Sequence, residues 1–95
     1  MNETKRSSIL IVGAGAAGLM TAVSALEHGA KDILILDAAP KAGLKISMCG
    51  GGRCNVSNAQ LEYNRYFGES PNAIKKVVLQ FPPEKVVRFF EQEGV

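Results

Sequence analysis

The sequence predicts an α/β fold built on a parallel sheet, and three observations predict it. Two apolar runs, at residues 9–12 (ILIV) and 33–36 (ILIL), are continuous rather than alternating, the pattern of parallel strands covered on both faces. Between them Leu19, Ala22, Val23 and Leu26 fall at i, i+3, i+4 and i+7, one buried stripe of a helix. At the junction of first strand and helix stand Gly13, Gly15 and Gly18, a G-x-G-x-x-G spacing. The three together make a Rossmann-like β-α-β unit within ~30 residues.

Each element has its own justification. Residues 1–8 are polar and expected to fray. The first strand spans residues 8–12. Gly13 permits a tight turn out of it, Gly15 lets a pyrophosphate approach the backbone, and Gly18 lets the helix pack close to the strand. The helix, residues 16–28, presents the N–H groups of Ala16 and Ala17 and its positive dipole end to an anion. His28 lies in its last turn, where a surface histidine is the simpler reading than a metal or catalytic one, and Gly29 suits the C′ position. The second strand, residues 33–36, ends at Asp37, 19 positions beyond Gly18. An acidic residue there accepts hydrogen bonds from ribose hydroxyls; the alternative is a loop aspartate capping a turn.

Residues 38–43 form a loop punctuated by Pro40 and Gly43. The next stretch, residues 45–58, holds three consecutive glycines, Gly50, Gly51 and Gly52, followed by Arg53. Such a run is costly to order and answers a geometric need. Its N–H groups can form a concave nest for an anion. Arg53 can fork onto a phosphate or an anionic ring edge, and Asn55 and Asn58 can hold ring or ribose polar atoms. On these residues alone, a flexible glycine loop with Arg53 in solvent is an equal alternative.

The stretch GLKISMCGGGRCNVSN resembles the signature G-x-K-x-x-x-S-G-G-G-R-C-N-x-T-N of the BaiN/RdsA-like family of FAD-dependent, NAD(P)-linked oxidoreductases, also labelled aminoacetone-oxidase-like flavoproteins. Gly43, Lys45, Gly50, Gly51, Gly52, Arg53, Cys54, Asn55 and Asn58 carry the match, at the family's distance behind an N-terminal GAGAAG. The resemblance implies a Rossmann-like FAD-binding unit. Gly13, Gly15, Ala16, Ala17, Gly18 and Asp37 would serve the ADP half of FAD, and Lys45, Gly51, Gly52, Arg53 and Asn55 the pyrophosphate or flavin half. NAD(P)H is the implied electron donor. Cys49 stands where the family has Ser, Ser57 where it has Thr, and Leu44 where a basic residue is common. Cys49 replaces a good hydrogen-bond acceptor with a weaker one, and Asp37 is shorter than the Glu often used in FAD proteins.

Further on, Tyr63, Tyr66 and Phe67 lie in a turn-like segment, where packing under a loop is the simpler reading than stacking on a cofactor. Ser70-Pro71 starts a helix whose stripe is Ile74, Val77, Val78 and Phe81. Pro82-Pro83 ends it and opens another, with Val86, Val87, Phe89 and Phe90 on its buried face and Gly94 terminating it.

Composition bounds the rest. Ninety-five residues suit at most one small domain. A net charge of +2 is too small to point to a nucleic-acid or membrane-surface partner. No apolar run approaches membrane-spanning length, and the glycine spacing argues against reading the N-terminus as a secretory signal, so the expected location is cytoplasmic. One His and two Cys make a zinc site improbable, and no residue stands out as acid, base or nucleophile. One β-α-β unit and two helices do not cover a parallel sheet; residues 1–95 read as the N-terminal part of an FAD/NAD(P)-binding domain whose remainder, with a substrate domain, lies elsewhere. Two other functions stand beside the flavoprotein. Cys49 and Cys54, at a C-x-x-x-x-C spacing, can act as a flavin-linked thiol/disulfide pair, although the Gly-Gly-Gly-Arg between them does not match the disulfide reductases. The chain can also be a non-catalytic nucleotide-binding module or a truncated remnant.

Overall fold

The computed structural model describes residues 4–95. The chain divides into two compact units, one ending at Asn55 and the other spanning Val56–Val95.

The first unit contains β1 (Ile9–Val12), α1 (Ala16–Glu27), β2 (Ile33–Leu36) and a short α2 (Leu44–Met48). β1 and β2 pair in parallel, with Ile9 opposite Ile33 and Val12 opposite Leu36. The fold is therefore α/β with a parallel sheet, as the apolar runs predict. The expectation that both sheet faces are covered is met on one side only. Ile9 and Ile11 are half-buried, whereas Leu10 and Val12 on the opposite face are 56% and 83% exposed. One crossover helix can cover one face, and Leu36, beside Val12, is open as well.

α1 packs on β1 through small residues. Ala22 is buried, Leu19 and Val23 are half-buried, and Leu26 at the end of the stripe is exposed. The helix stops one residue before the predicted end. His28 is its C-cap, and Ala30 N–H donates to Ala25 O (2.9 Å) while Gly29 N–H donates to Leu26 O (3.1 Å). This pair of bonds is the Schellman closure, with Gly29 at C′ as predicted. The exposed His28 turns its Nδ1 to Ser24 O at 2.7 Å, satisfying a terminal carbonyl.

The second unit holds a 3₁₀ turn (Tyr63–Arg65), α3 (Pro71–Gln80) and α4 (Pro83–Gln92). Ser70 caps α3 by accepting from Ala73 N–H, and Pro71 and Pro83 occupy the first helical positions. α4 closes at Gly94 with the same two-bond pattern as α1. The predicted stripes are half-met: Ile74, Val78, Val86, Phe89 and Phe90 are half-buried, while Val77, Phe81 and Val87 stay exposed. Phe89 and Phe90 meet edge to face, ring centroids 5.2 Å apart. Tyr63 takes Lys75 Nζ at 5.2 Å from its ring centroid. The expectation that the 63–67 aromatics pack under a loop fails: Tyr63 and Tyr66 are exposed, and Phe67 is 97% exposed. No helix among the described residues is long and apolar enough to cross a membrane.

Candidate functional site

The site grows from the turn that follows β1. Gly13 N–H donates to Leu36 O at 2.6 Å, carrying the sheet ladder one residue beyond the strand. Gly13 then takes φ +104°, a conformation that favours glycine, and the chain swings into α1. Gly18 explains how close the helix comes. A Cβ there would lie 1.8 Å from the carbonyl oxygen of Gly13 and 3.4 Å from Ile11 Cγ2. The third glycine of the motif thus serves helix–strand approach, as its spacing predicts. Gly15, by contrast, has nothing within 4 Å of a notional Cβ. It is the N-cap of α1, has no side-chain cap, and faces open space.

The leading end of α1 therefore carries free donors. The first intrahelical bond is Leu19 N–H to Gly15 O at 3.0 Å, so the N–H groups of Ala16, Ala17 and Gly18 have no helical acceptor. Gly15, Ala16 and Ala17 are exposed. Three donors without a helical acceptor and a positive dipole end are the features by which a helix N-terminus attracts an anion.

Ala14 ties this end of the unit together. It is only 5% exposed. Its N–H donates to Asp37 Oδ1 at 3.1 Å, and its carbonyl accepts from Gly43 N–H at 2.8 Å. Asp37 also accepts from Ala39 N–H through Oδ2 at 3.1 Å. The carboxylate at the end of β2 thus clamps the fingerprint turn and caps its own loop. A carboxylate has about four acceptor positions, so two remain beyond these bonds.

The second glycine stretch is reached through Gly43. Its φ of +67° starts α2, a five-residue helix that the loop punctuation did not announce. Lys45 is exposed on α2. α2, roughly 8 Å long, leads to the 3₁₀ turn at Gly50–Gly52. There the nest is narrower than expected because, of the three glycine N–H groups, that of Gly52 is taken up inside the loop. Gly52 N–H and Cys54 N–H both donate to Cys49 O (3.1 and 3.2 Å), and Arg53 N–H donates to Gly50 O (3.2 Å). Those three donors are satisfied inside the loop, because consecutive positive-φ residues curl the chain back on its own carbonyls. Gly50 is constrained by proximity: a Cβ there would lie 3.0 Å from Asn55 N and 3.3 Å from Asn55 Oδ1. Gly51 and Gly52 face open space. What the loop offers outward is the exposed side chains of Arg53 and Asn55. Among the described residues Arg53 forms no ion pair. Asn58 belongs to the second unit, where its Oδ1 accepts from Gln60 N–H at 2.9 Å.

Cys49 and Cys54 are half-buried free thiols on this loop. Cys49 Sγ donates to Ile46 O at 3.2 Å. A hydrogen bond with Cys49, then burial, then the charge of Cys49 push the Cys54 thiol above its ordinary range. The spacing alone did not reveal this contact.

The family described as HI0933-like protein Rossmann domain matches residues 7–95. The chain belongs to the HI0933-like family. This bears out the resemblance carried by the two glycine motifs, and it places the chain in a Rossmann family associated with flavin-dependent oxidoreductases. Among its relatives, the ribosomal RNA dihydrouridine synthase of Escherichia coli (strain K12) is 33% identical over 91 residues, which is 96% of this chain and 22% of that protein. The 3-dehydro-bile acid delta(4,6)-reductase of Clostridium scindens is 34% identical over 86 residues, 90% of this chain and 21% of that protein. The ribosomal RNA dihydrouridine synthase of Haemophilus influenzae is 32% identical over 89 residues, 94% of this chain and 22% of that protein. The chain spans about a fifth of the length of these relatives.

Proposed function

We propose that the HI0933-like chain is the FAD-binding segment of an oxidoreductase linked to NAD(P)H. The observation that carries this reading is the open leading end of α1. Gly15 leaves room at the backbone, and the N–H groups of Ala16, Ala17 and Gly18 have no acceptor among the described residues. The fit to a diphosphate is one of donors to an anion. In this reading Gly13, Gly15, Ala16, Ala17 and Gly18 hold the ADP half of FAD. The free acceptor positions of Asp37 take its ribose. Lys45, Gly51, Gly52, Arg53 and Asn55 serve the pyrophosphate or flavin half, through the Arg53 and Asn55 side chains and the open backbone at Gly51 and Gly52.

When bound, the flavin supplies hydride chemistry. The chain's own part is to bind and orient it. The α1 dipole and Arg53 neutralise the diphosphate, and the Asp37 clamp on Ala14 keeps the donors aimed. Residues 1–95 form the N-terminal part of the cofactor domain, and the remaining strands and the substrate domain come from further chain. The names of the relatives describe additions of hydrogen, one giving dihydrouridine in RNA and one a delta(4,6) reduction of a bile acid. By this reading the protein reduces a carbon–carbon double bond.

The test is spectroscopic. The purified protein, with whatever chain follows residue 95, is expected to be yellow and to release free FAD on denaturation. A colourless protein that takes up no FAD on titration, while folded by circular dichroism, rules the reading out.

A further inference from the structure

We propose that Cys49 and Cys54 form a reversible disulfide modification site, oxidised by a low-molecular-weight disulfide, that closes the loop around Gly50–Gly52. This is independent of which nucleotide the chain binds.

The loop is already folded for the bond. Cys54 N–H donates to Cys49 O at 3.2 Å, and inside that ring Arg53 N–H donates to Gly50 O at 3.2 Å. These two nested bonds bring positions five apart back to one another. Cys54 takes φ +56°, the one positive value for a non-glycine residue among the described residues. A conformation that disfavours side chains is held at the residue whose thiol must reach back. Cys49 Sγ donates to Ile46 O at 3.2 Å, which holds that sulfur within the turn. Both cysteines are half-buried within one turn, and the glycines between them offer no side chain that blocks the approach. Disulfide geometry is specific, and most pairs at this spacing in an extended loop fail it.

The chemistry balances as thiol–disulfide exchange. The Cys49 thiolate attacks one sulfur of the small-molecule disulfide, forming a mixed disulfide and expelling one thiolate. Cys54 then gives up its proton and attacks the Cys49 sulfur, expelling the second. Two protein thiols lose two electrons and two protons, and the disulfide becomes two thiols. The same balance holds with the two cysteines exchanged.

The experiment uses the whole chain with oxidised glutathione as the probe. Trypsin cleavage after Lys45, Arg53 and Arg65 places the two cysteines on separate peptides, 46–53 and 54–65. The expected result is a mass lower by two hydrogens, the two peptides joined without reduction, and full reversal by dithiothreitol. Cys49→Ser and Cys54→Ser variants each retain one glutathione instead. The effective concentration of the pair is expected to be at least ~10-fold higher in buffer than in guanidinium chloride, as preorganisation requires. Equal values in the two solvents, a native chain carrying two stable glutathiones, or disulfide-linked dimers as the main product would each overturn the proposal.

Discussion

Asp37 Oδ1 accepts the backbone N–H of Ala14 at 3.1 Å, across 23 positions of sequence. The bond joins the end of β2 to the middle of the fingerprint turn, and Ala14 is one of the few buried residues of the chain. Removing the acceptor leaves a buried donor unsatisfied, at a cost of about 1–3 kcal/mol. Asp37→Ala is therefore expected to lower stability by that amount in denaturant titration, and Asp37→Asn, which keeps one acceptor oxygen, by less than half of it. Equal stability of Asp37→Ala and the parent would show that the clamp contributes nothing.

Gly18 and Gly15 separate packing from binding. Gly18→Ala puts a Cβ onto the Gly13 carbonyl, so α1 must move off β1. Overpacking of this kind reaches about 3 kcal/mol or more, because the clash is with backbone rather than a flexible side-chain end. Gly15→Ala meets nothing within 4 Å and has an ordinary φ of −83°. Its cost is that of a poorer N-cap, at most ~1 kcal/mol. FAD titration is expected to reverse the emphasis, with Gly15→Ala folded and weakened in binding. A Gly18→Ala chain as stable as the parent would contradict the close approach.

The β-α-β unit was legible because apolar runs, glycine spacing and helical period all point the same way. The clamp was legible only in part. Asp37 was recognisable by position, but either a ribose acceptor or a turn cap satisfies the same spacing, and the structure shows it capping. α2 was hidden because five residues give no period to read; it exists because Gly43 adopts φ +67° while bonded to Ala14. At residues 50–54 composition named glycines fit for a nest, yet composition cannot say which carbonyl an N–H finds. The N–H groups of Gly52, Arg53 and Cys54 found carbonyls inside the loop. Tyr63, Tyr66 and Phe67 stay exposed because a second unit of two short helices has little interior in which to pack them.

Arg53 offers a clean test of the cofactor half of the site. It is exposed and forms no ion pair among the described residues, so Arg53→Ala is expected to leave stability within about 0.5 kcal/mol. A charge-assisted bond to a phosphate or flavin edge is worth about 1.5–3 kcal/mol, or roughly 10- to 100-fold in FAD affinity. Arg53→Lys keeps the charge and loses the fork, and an intermediate affinity is expected. Unchanged affinity in Arg53→Ala would remove this residue from the site.

The reactivity of the Cys54 thiol depends on its neighbour. Cys54 is held protonated above the ordinary thiol range, first by its hydrogen bond with Cys49, then by burial, then by the Cys49 charge. A raised value means less thiolate at any given pH, so alkylation of Cys54 by iodoacetamide is expected to lag that of a free thiol and to rise at higher pH. Cys49→Ala removes the first and third causes together. In that variant the alkylation profile of Cys54 shifts to lower pH and its rate near neutrality increases. The check is peptide-resolved mass spectrometry of alkylation across the alkaline range. Superimposable Cys54 profiles in parent and Cys49→Ala would mean that the sulfurs do not sense each other, and the nested bonds at Cys49 O and Gly50 O would then order the loop without coupling its thiols.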